Sequence, residues 1–233
     1  NMKKEFLFLL TIILCIQAYS QGYTIDVTYK KVTDGFLYLG YYFGDKKYVQ
    51  DSAAIQPNGT VLFKGEKPLT GGLYIIVDEN KQRFFDVLID KEQSFQLIID
   101  SVDFTIKSLT GSLDNSYLEA YKKATAGFFG NYNQWQQQLA AAKTKQDSAS
   151  IQQKMNAVAN QSLQWRDSFS TAQPQTYLAL LFKLMKEPQY KINGKTKQDT
   201  VNAWQSYKTE YWADVALNDE RLLRTPMFEQ RLS

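Results

Sequence analysis

The spacing of apolar residues predicts a series of short strands in the first half of the chain. From residue 23 to about residue 108, apolar positions alternate with polar ones or form short runs between turn residues, which is typical of sequential antiparallel strands. Pro57-Asn58-Gly59 is a strong hairpin signal. The predicted strands are residues 23–30, 36–42, 48–55, 60–63, 73–77, 83–89, 95–99 and 104–107. Because no helix separates them, we expect a sandwich or a strongly curled antiparallel sheet.

After Gly111 the apolar spacing becomes helical. Ser116 and Glu119 form a predicted capping box that opens a first helix. Its candidate core residues are Leu118, Tyr121 and Phe128. Residues 133–145, rich in Gln and Ala, suit either an exposed helix or a flexible connection. A stripe with a spacing of three and four predicts a long helix over about 147–171, and its members are Met155, Val158, Ser162, Trp165 and Phe169.

Two prolines bound the next predicted helix, with Pro174 in its first turn and Pro188 beyond its end. Its buried candidates are Tyr177, Leu178, Leu181, Leu184 and Met185. One more helix is marked by Trp204, Tyr207, Tyr211 and Trp212. We therefore expect an α+β fold, in which an antiparallel β-sandwich-like domain at residues 21–110 precedes an α-helical domain at residues 111–233.

The first 20 residues have the pattern of an export leader. Two lysines precede a nearly unbroken apolar run at residues 6–16, and Ala18-Tyr19-Ser20 offers small residues for a signal peptidase. We expect cleavage between Ser20 and Gln21. The apolar run is well short of the roughly 20 residues that span a bilayer, so a cleaved leader is favoured over a retained anchor. Lipidation at Cys15 is a less favoured alternative, because Leu14 occupies a position where lipoprotein signals usually carry a small residue.

Charge and composition narrow the function classes. The chain has a net charge of +3, and without residues 1–20 it keeps 25 basic and 23 acidic residues, a net charge of +2. This balance argues against a nucleic-acid binder, which would concentrate basic residues on one face. The hydrophobic fraction of 44% supplies core for one or two domains. No cysteine pair is present to staple the fold, so burial of apolar surface has to stabilise it.

The sequence lacks the side chains of several common chemistries. It contains no histidine, and its single cysteine, Cys15, lies within the predicted leader. Ser–His and Cys–His nucleophile pairs, imidazole or thiolate zinc sites and dithiol redox chemistry all need these residues. We therefore predict no catalytic residue, no metal site and no cofactor in this chain. A hydrolase acting through carboxylates alone is a distant alternative.

Three other groups of residues have both a functional and a structural interpretation. The first consists of Asp86, Asp90, Asp100 and Asp103, whose spacing matches no calcium loop and suits strand ends and turns. Arg221 and Arg224 could clamp an anion, although pairing with Asp219, Glu220 or Glu229 is favoured. The aromatic residues, among them Tyr41, Tyr42 and Phe43, could stack on sugars or peptides, but packing in the core is the favoured interpretation.

Several sequence strings resemble a known family architecture. Asp51-Ser52-Ala53-Ala54-Ile55, Asn58-Gly59 and Phe63-Lys64-Gly65 are similar to the sheet domain that precedes the redox domain in many exported thioredoxin-like proteins of Bacteroidota. Gly111-Ser112 with Asn115 fits the segment that leads from that domain into its helical partner. Glu187-Pro188, Tyr211-Trp212 and residues 219–226, which contain Arg-Leu-Leu-Arg-Thr-Pro, resemble the helical domain of unknown function that often follows.

This resemblance implies a thiol–disulfide oxidoreductase of the TlpA or ResA type, located in the periplasm or on the outer cell envelope. In that family the chemistry belongs to a C-terminal thioredoxin fold with a Cys-x-x-Cys motif, and this chain carries no residue of that motif. We therefore expect the parent gene to encode a redox domain beyond Ser233, with this chain as a fragment. A further resemblance, to Asp-Ser/Thr acceptors of O-glycosylation in Bacteroidota, concerns Ser52, Ser101, Ser148 and Thr200.

Two function classes remain open from the sequence. The first is a non-catalytic accessory region that positions a redox domain or recruits its protein or peptide clients. The second is a self-sufficient binding module of the periplasm or cell envelope for a peptide, glycan or protein partner. In both, no nucleic acid is expected as a partner, and membrane contact is expected only through the transient leader or through lipidation at Cys15.

Overall fold

Eight strands form two four-stranded sheets that face each other across an apolar core. The fold was obtained as a computed structural model that describes residues 22–80, 84–100, 102, 105–188 and 190–233, so the predicted leader and its cleavage position lie outside the described residues. The strands are β1 (Tyr23–Lys30), β2 (Phe36–Phe43), β3 (Lys46–Ala54), β4 (Thr60–Gly65), β5 (Gly72–Asp78), β6 (Phe84–Ile89), β7 (Ser94–Asp100) and β8 (Ile106–Thr110). Their order is β4-β1-β7-β8 in one sheet and β3-β2-β5-β6 in the other.

The core between the sheets follows from the alternation in the sequence. On β1, Ile25 and Val27 are fully buried, while Thr24 and Asp26 on the opposite face are partly exposed. Since successive side chains of a strand point to opposite faces, the inner face of each sheet carries apolar residues. β5 is buried on both faces, with Tyr74 and Ile76 in this core and Leu73 and Ile75 on the outer face. Both sheets contribute to the same cluster, which makes the arrangement a sandwich. The predicted α+β class, with strands first and helices after, is confirmed.

One strand pair departs from the predicted antiparallel pattern. β1 lies parallel to β7, with Thr24 opposite Ser94 and Lys30 opposite Asp100, whereas the other strand pairs in the described sheets are antiparallel. The two strands are separated by most of the sheet region, including the four-stranded second sheet. This pairing is thus set by burial of β1 between two neighbours, and local turn signals could not indicate it.

Helices follow the last strand. They are α1 (Leu113–Phe129), α2 (Tyr132–Ala141), α3 (Lys145–Ala172), α4 (Tyr177–Leu184), α5 (Lys197–Ala213), a 3-10 helix (Glu220–Arg224) and α6 (Pro226–Leu232). The Gln- and Ala-rich segment is therefore mostly helical as α2, and every side chain of α2 is at least partly exposed. None of the helices in the described part of the chain combines the length and apolarity that crossing a bilayer requires.

Two predicted helix starts were wrong. The N-cap of α1 is Ser112, whose Oγ accepts a hydrogen bond from the backbone N–H of Asn115 at 3.3 Å, and Ser116 lies inside the helix and donates to the Ser112 carbonyl. Pro174 precedes α4, whose N-cap is Thr176. In both cases a nearby Ser or Thr supplies the acceptor that the free N–H groups of the first turn need.

A second apolar cluster joins the helices to the outer face of the β3-β2-β5-β6 sheet. Leu73 and Leu88 from the sheet pack with Tyr177, Leu178 and Leu181 of α4. α4 is the most deeply buried helix, and seven of its eight residues are buried. Met185, predicted to be buried, lies just after α4 and is 36% exposed. The side chain of Phe128 is outside the described part. Sheet and helices thus share one core, although the strands end at Thr110 and the helices begin at Leu113.

Candidate binding groove and the joint that supports it

A groove lies between α5 and the side formed by α3, α4 and the loop after α4. Its volume is about 800 Å³. The α5 side is lined by Asp199, Asn202, Ala203, Ser206, Tyr207, Glu210, Ala213 and Asp214. The opposite side is lined by Leu163, Asp167, Lys183, Lys186, Glu187, Pro188, Lys191 and Asn193, and Arg231 also contributes.

The start of α5 is held by a capping box. The Thr196 hydroxyl accepts from the backbone N–H of Asp199 at 3.1 Å, and the Asp199 carboxylate accepts from the backbone N–H of Thr196 at 2.9 Å. Hydrogen bonds from the Thr196 hydroxyl and backbone hold the pKa of Asp199 below its usual range. The same four residues, Thr-Lys-Gln-Asp, begin α3 at Thr144, whose side chain accepts from the backbone N–H of Asp147. The same start signal thus occurs twice in the sequence, once at each of these two helices.

Arg231 fixes the inner end of the groove. Its Nη1 donates to the carbonyl oxygens of Leu184 at 2.7 Å and Lys186 at 2.8 Å, and its Nη2 donates to the Tyr211 carbonyl. The guanidinium also lies 4.1 Å from the centroid of the Tyr211 ring. A cation at the C-terminus of α4 is favourable because the free carbonyls there carry partial negative charge. α6 therefore ties the end of α4 to α5 beside the groove.

The two walls of the groove differ in charge. α5 contributes acidic side chains, Glu210 and Asp214 among them, whereas the opposite wall contributes three lysines and two acids. Lys186 lies between both walls, with its Nζ 3.7 Å from Asp167 and 3.9 Å from Asp214. These exposed pairs contribute little stability. The arrangement can hold a polar ligand through hydrogen bonds and charge on both sides, but the residues provide no activated nucleophile.

A joint made of buried polar contacts connects the sheet to α1. Asn115 is 1% exposed, and its side-chain amide makes two hydrogen bonds of 2.7 Å, one from the Leu88 N–H and one to the Leu88 carbonyl. The side-chain amide thereby pairs with the backbone of β6, an edge strand of its sheet, as the backbone of a neighbouring strand would. Gly111 precedes the helix with a φ of 84°, and a Cβ there would lie 2.8 Å from the Ser94 carbonyl oxygen. Each residue of the string Gly111-Ser112 with Asn115 thus has a structural role: Gly111 makes the turn, Ser112 caps α1, and Asn115 bonds to β6.

The second part of the joint is the segment that precedes α6. Arg221 bonds to Asp219 and to Asp90, each at 2.7 Å. Hydrogen bonding to Asp219 raises the pKa of the Arg221 guanidinium, and the same bond lowers the pKa of Asp219. Arg224 lies 4.3 Å above the Tyr41 ring on β2. The prediction that Arg221 pairs with Asp219 is confirmed.

The 3-10 helix approaches the start of β5 so closely that only glycine fits there. A Cβ on Gly72 would lie 2.4 Å from the Arg224 Cβ. Beyond the 3-10 helix, Thr225 is fully buried and caps α6, with Pro226 in the first turn. The string Arg-Leu-Leu-Arg-Thr-Pro is therefore a docking segment between sheet and helices.

Other carboxylates of the sequence do not converge on one site. Asp90 is engaged by Arg221, and Asp100 accepts from the backbone N–H of Val102 at 2.8 Å, as in a turn. Burial raises the pKa of Asp86 on β6, while Lys122 and Lys47 act in the opposite direction. Asp103 lies outside the described residues. Among the residues that the structure describes, no group of His, Cys, Asp and Glu has the geometry of a metal site.

The hydroxyls singled out for O-glycosylation differ in their surroundings. Ser52 is exposed on β3, whereas Ser148 donates to the Thr144 carbonyl at 3.1 Å and Thr200 to the Thr196 carbonyl at 3.5 Å. The last two are part of helix starts. Ser101 lies outside the described residues. Their modification stays a prediction.

Some aromatic residues pack and others remain at the surface. Tyr42 is buried in the core shared by sheet and helices, whereas Phe43 is 48% exposed. A second group of rings lies along α5 and the loop before it, where Tyr190, Trp204, Tyr207, Tyr211 and Trp212 contact one another in sequence. Core packing, the favoured interpretation, thus holds for only part of the set.

Comparison with known families matches the sheet region of the chain. Residues 23–118 match the model of a domain of unknown function, DUF4369. The matched range covers both sheets and ends shortly after Asn115, so it includes the polar joint to α1 but not the groove. No curated protein and no solved structure matches the chain. The sheet region of this chain is therefore similar to a domain of unknown function.

Proposed function

We propose that the chain is the non-catalytic accessory region of an exported thioredoxin-like thiol–disulfide oxidoreductase of the TlpA or ResA type, where it positions the redox domain or recruits clients. One observation carries this proposal. Gly111-Ser112 with Asn115 and Arg-Leu-Leu-Arg-Thr-Pro, two strings of the resemblance, dock α1 and the segment before α6 on the same sheet, through Leu88 and Asp90. The similarity of residues 23–118 to a domain of unknown function agrees with the sheet half of the resemblance.

The shared core suits a supporting role. Asn115, Arg221 and Asp90 use their polar groups on one another or on backbone, so they are engaged in holding sheet and helices together. A rigid body of this kind can place an attached domain at a fixed position. The absence of histidine, and of cysteine beyond Cys15, assigns thiol chemistry to another part of the parent protein.

The sequence of the parent gene beyond Ser233 is the first test. We expect an in-frame thioredoxin-like domain with a Cys-x-x-Cys motif. A stop codon, or a following domain without that motif, would overturn the proposal. Insulin reduction by dithiothreitol, followed by turbidity, gives a second measurement. Addition of the chain alone should leave the rate of insulin precipitation unchanged, whereas addition of the parent protein should increase that rate.

A second candidate function is a self-sufficient binding module, and the groove beside α5 favours it. A cavity of about 800 Å³ with polar groups on two walls falls within the size range of small-molecule and peptide sites. Replacing Ser206 by Trp should fill the groove, while Ser150→Trp on α3 places the same ring on an exposed position away from it.

Titration calorimetry with reduced, carboxymethylated insulin chains then separates the two variants. We expect binding by the unmodified chain and by Ser150→Trp, and at least a tenfold loss with Ser206→Trp. Equal affinities of the two variants would remove the groove from the binding surface.

A further inference from the structure

α5 has two faces of opposite charge. Its acidic side chains, including Glu210 and Asp214, line the groove. A different stripe, spaced by three and four residues, faces away from them. Its members are Lys197, Val201, Trp204 and Lys208. This stripe contains two lysines and no carboxylate, so the outer face of α5 is basic and aromatic.

The apolar members of this outer face are exposed and held in place. Trp204 is 48% exposed and Val201 is 46% exposed. The Trp204 ring lies nearly parallel to the Tyr207 ring, with centroids 5.6 Å apart, and the Tyr190 ring meets it edge-on at 6.1 Å. The Lys208 Nζ lies 5.1 Å from the centroid of Trp204. Because these contacts fix the rings without burying them, the exposed apolar surface is a built feature of the helix.

We propose that the outer face of α5 docks on the surface of an anionic phospholipid bilayer. Trp and Tyr favour the interface between headgroups and acyl chains, and lysines beside them are attracted to anionic headgroups. This face is the convex surface of a helix, so a small ligand bound there would contact protein on one side and solvent on the other. A bilayer surface can accommodate such a convex surface, and the lysines and the Trp204 ring on this exposed face can reach its headgroup layer together.

The expected association is weak, reversible and dependent on salt. Each lysine near an anionic membrane contributes roughly a fivefold increase in the partition coefficient. The attraction falls off within the Debye length, about 10 Å at 0.1 M salt. This contact would be separate from the membrane contacts predicted for the leader and for Cys15. Because the groove lies on the opposite side of α5, this helix would lie between the groove and the membrane.

Co-sedimentation with vesicles tests this proposal on the full chain. One set of vesicles is phosphatidylcholine, and the other is phosphatidylcholine mixed with phosphatidylglycerol. Every variant carries the same residues 1–21, so any contribution of that segment is common to all. Lys197→Gln with Lys208→Gln should lower partitioning into the anionic vesicles by roughly 25-fold, and Trp204→Ala should lower it on both kinds of vesicle.

Matched controls lie on the sheet side of the molecule. Lys64→Gln with Lys67→Gln removes two exposed lysines there, and Leu62→Ala removes an apolar side chain that is 53% exposed. Partitioning of these controls should match the unmodified chain. An equal loss with the control lysines, or no loss with the α5 lysines, would overturn the proposal. Binding of a labelled oligoglutamate without binding to anionic vesicles would assign the face to an acidic polypeptide and also overturn it.

Discussion

Asn115 is the residue on which the contact between β6 and α1 most directly depends. Its replacement by Ala leaves the N–H and the carbonyl of Leu88 without their side-chain partner in a buried position. An unsatisfied buried polar group costs about 1–3 kcal/mol, so we expect Asn115→Ala to lower the free energy of unfolding by about 3 kcal/mol, measured by urea denaturation. Asn133→Ala, on exposed α2, should change it by less than about 0.5 kcal/mol. Similar losses for both would contradict the role of Asn115.

Two aspartates should give opposite dependences of stability on pH. Burial raises the pKa of Asp86 in the folded state, so the folded state binds more protons than the unfolded state just above the ordinary value of 3.8. The contribution of Asp86 to the free energy of unfolding is therefore fully present at pH values below 3.8, and it is lost as the pH rises through the folded-state pKa. Asp86→Asn should therefore be more stable than the unmodified chain at neutral pH. That difference should vanish in acid.

Asp219 supplies the matched comparison. Hydrogen bonding to Arg221 lowers its folded pKa, so its contribution is present above 3.8 and is lost as pH falls through the lower folded value. Asp219→Asn should be less stable than the unmodified chain at neutral pH, and the deficit should shrink in strong acid. Denaturation midpoints of both variants across the acid range provide the measurement. Shifts of the same sign would contradict the assigned causes.

At the scale of elements, the approach of the 3-10 helix to β5 predicts opposite effects for two glycines. A Cβ on Gly72 would collide with Arg224, whereas a Cβ on Gly127, within α1, would have no neighbour within 4 Å. Gly72→Ala should displace the docking segment and cost about 1–3 kcal/mol. Gly127→Ala should stabilise the chain by about 0.5–1 kcal/mol, because Ala favours a helix interior. Thermal melts of the pair test this, and a stable Gly72→Ala would show that the segment can move away without loss.

Element starts show what could be predicted from local sequence. The alternation on β1 was sufficient because strand faces depend on near neighbours. The turn at Pro57-Asn58-Gly59 forms, with the Gly59 N–H donating to the Gln56 carbonyl. The hairpin expected from it was wrong, because β3 pairs with β2 in one sheet and β4 pairs with β1 in the other. The start of α1 was misplaced at Ser116, since Ser112 also offers an acceptor and only the packing of Asn115 on Leu88 decides between them. Local patterns thus predict that an element exists, while tertiary contacts select its first residue.

Contacts between distant segments could not be predicted in the same way. The parallel pairing of β1 with β7 joins strands separated by most of the sheet region. The groove combines Asp167, Lys186 and Glu210 from three elements, and no spacing in the sequence connects them. The nearest signal was the repeated Thr-Lys-Gln-Asp, which marks the starts of α3 and α5 but not their relative position.

At the scale of the whole molecule, the core shared by sheet and helices predicts a single unfolding transition. Leu178 on α4 is 1% exposed and packs in the same cluster as Leu73 and Leu88 of the sheet. Leu178→Ala should cost about 2–5 kcal/mol. All four tryptophans lie after residue 130, so their fluorescence reports on the helices, and hydrogen exchange of β1 amides reports on the sheet. The free energy of unfolding measured by each of the two probes should fall by the same amount, because the cluster cannot open on one side alone.

The control for this experiment is Leu217→Ala, at a position that is 63% exposed, which should leave both probes unchanged. If Leu178→Ala shifts tryptophan fluorescence while β1 amides keep their protection, the sheet folds independently of the helices. In that case the β3-β2-β5-β6 sheet would stay folded even when the helices no longer cover its outer face. An equal shift in both probes means that α4 completes the sheet, so a partner attached to the helices is also fixed relative to the strands.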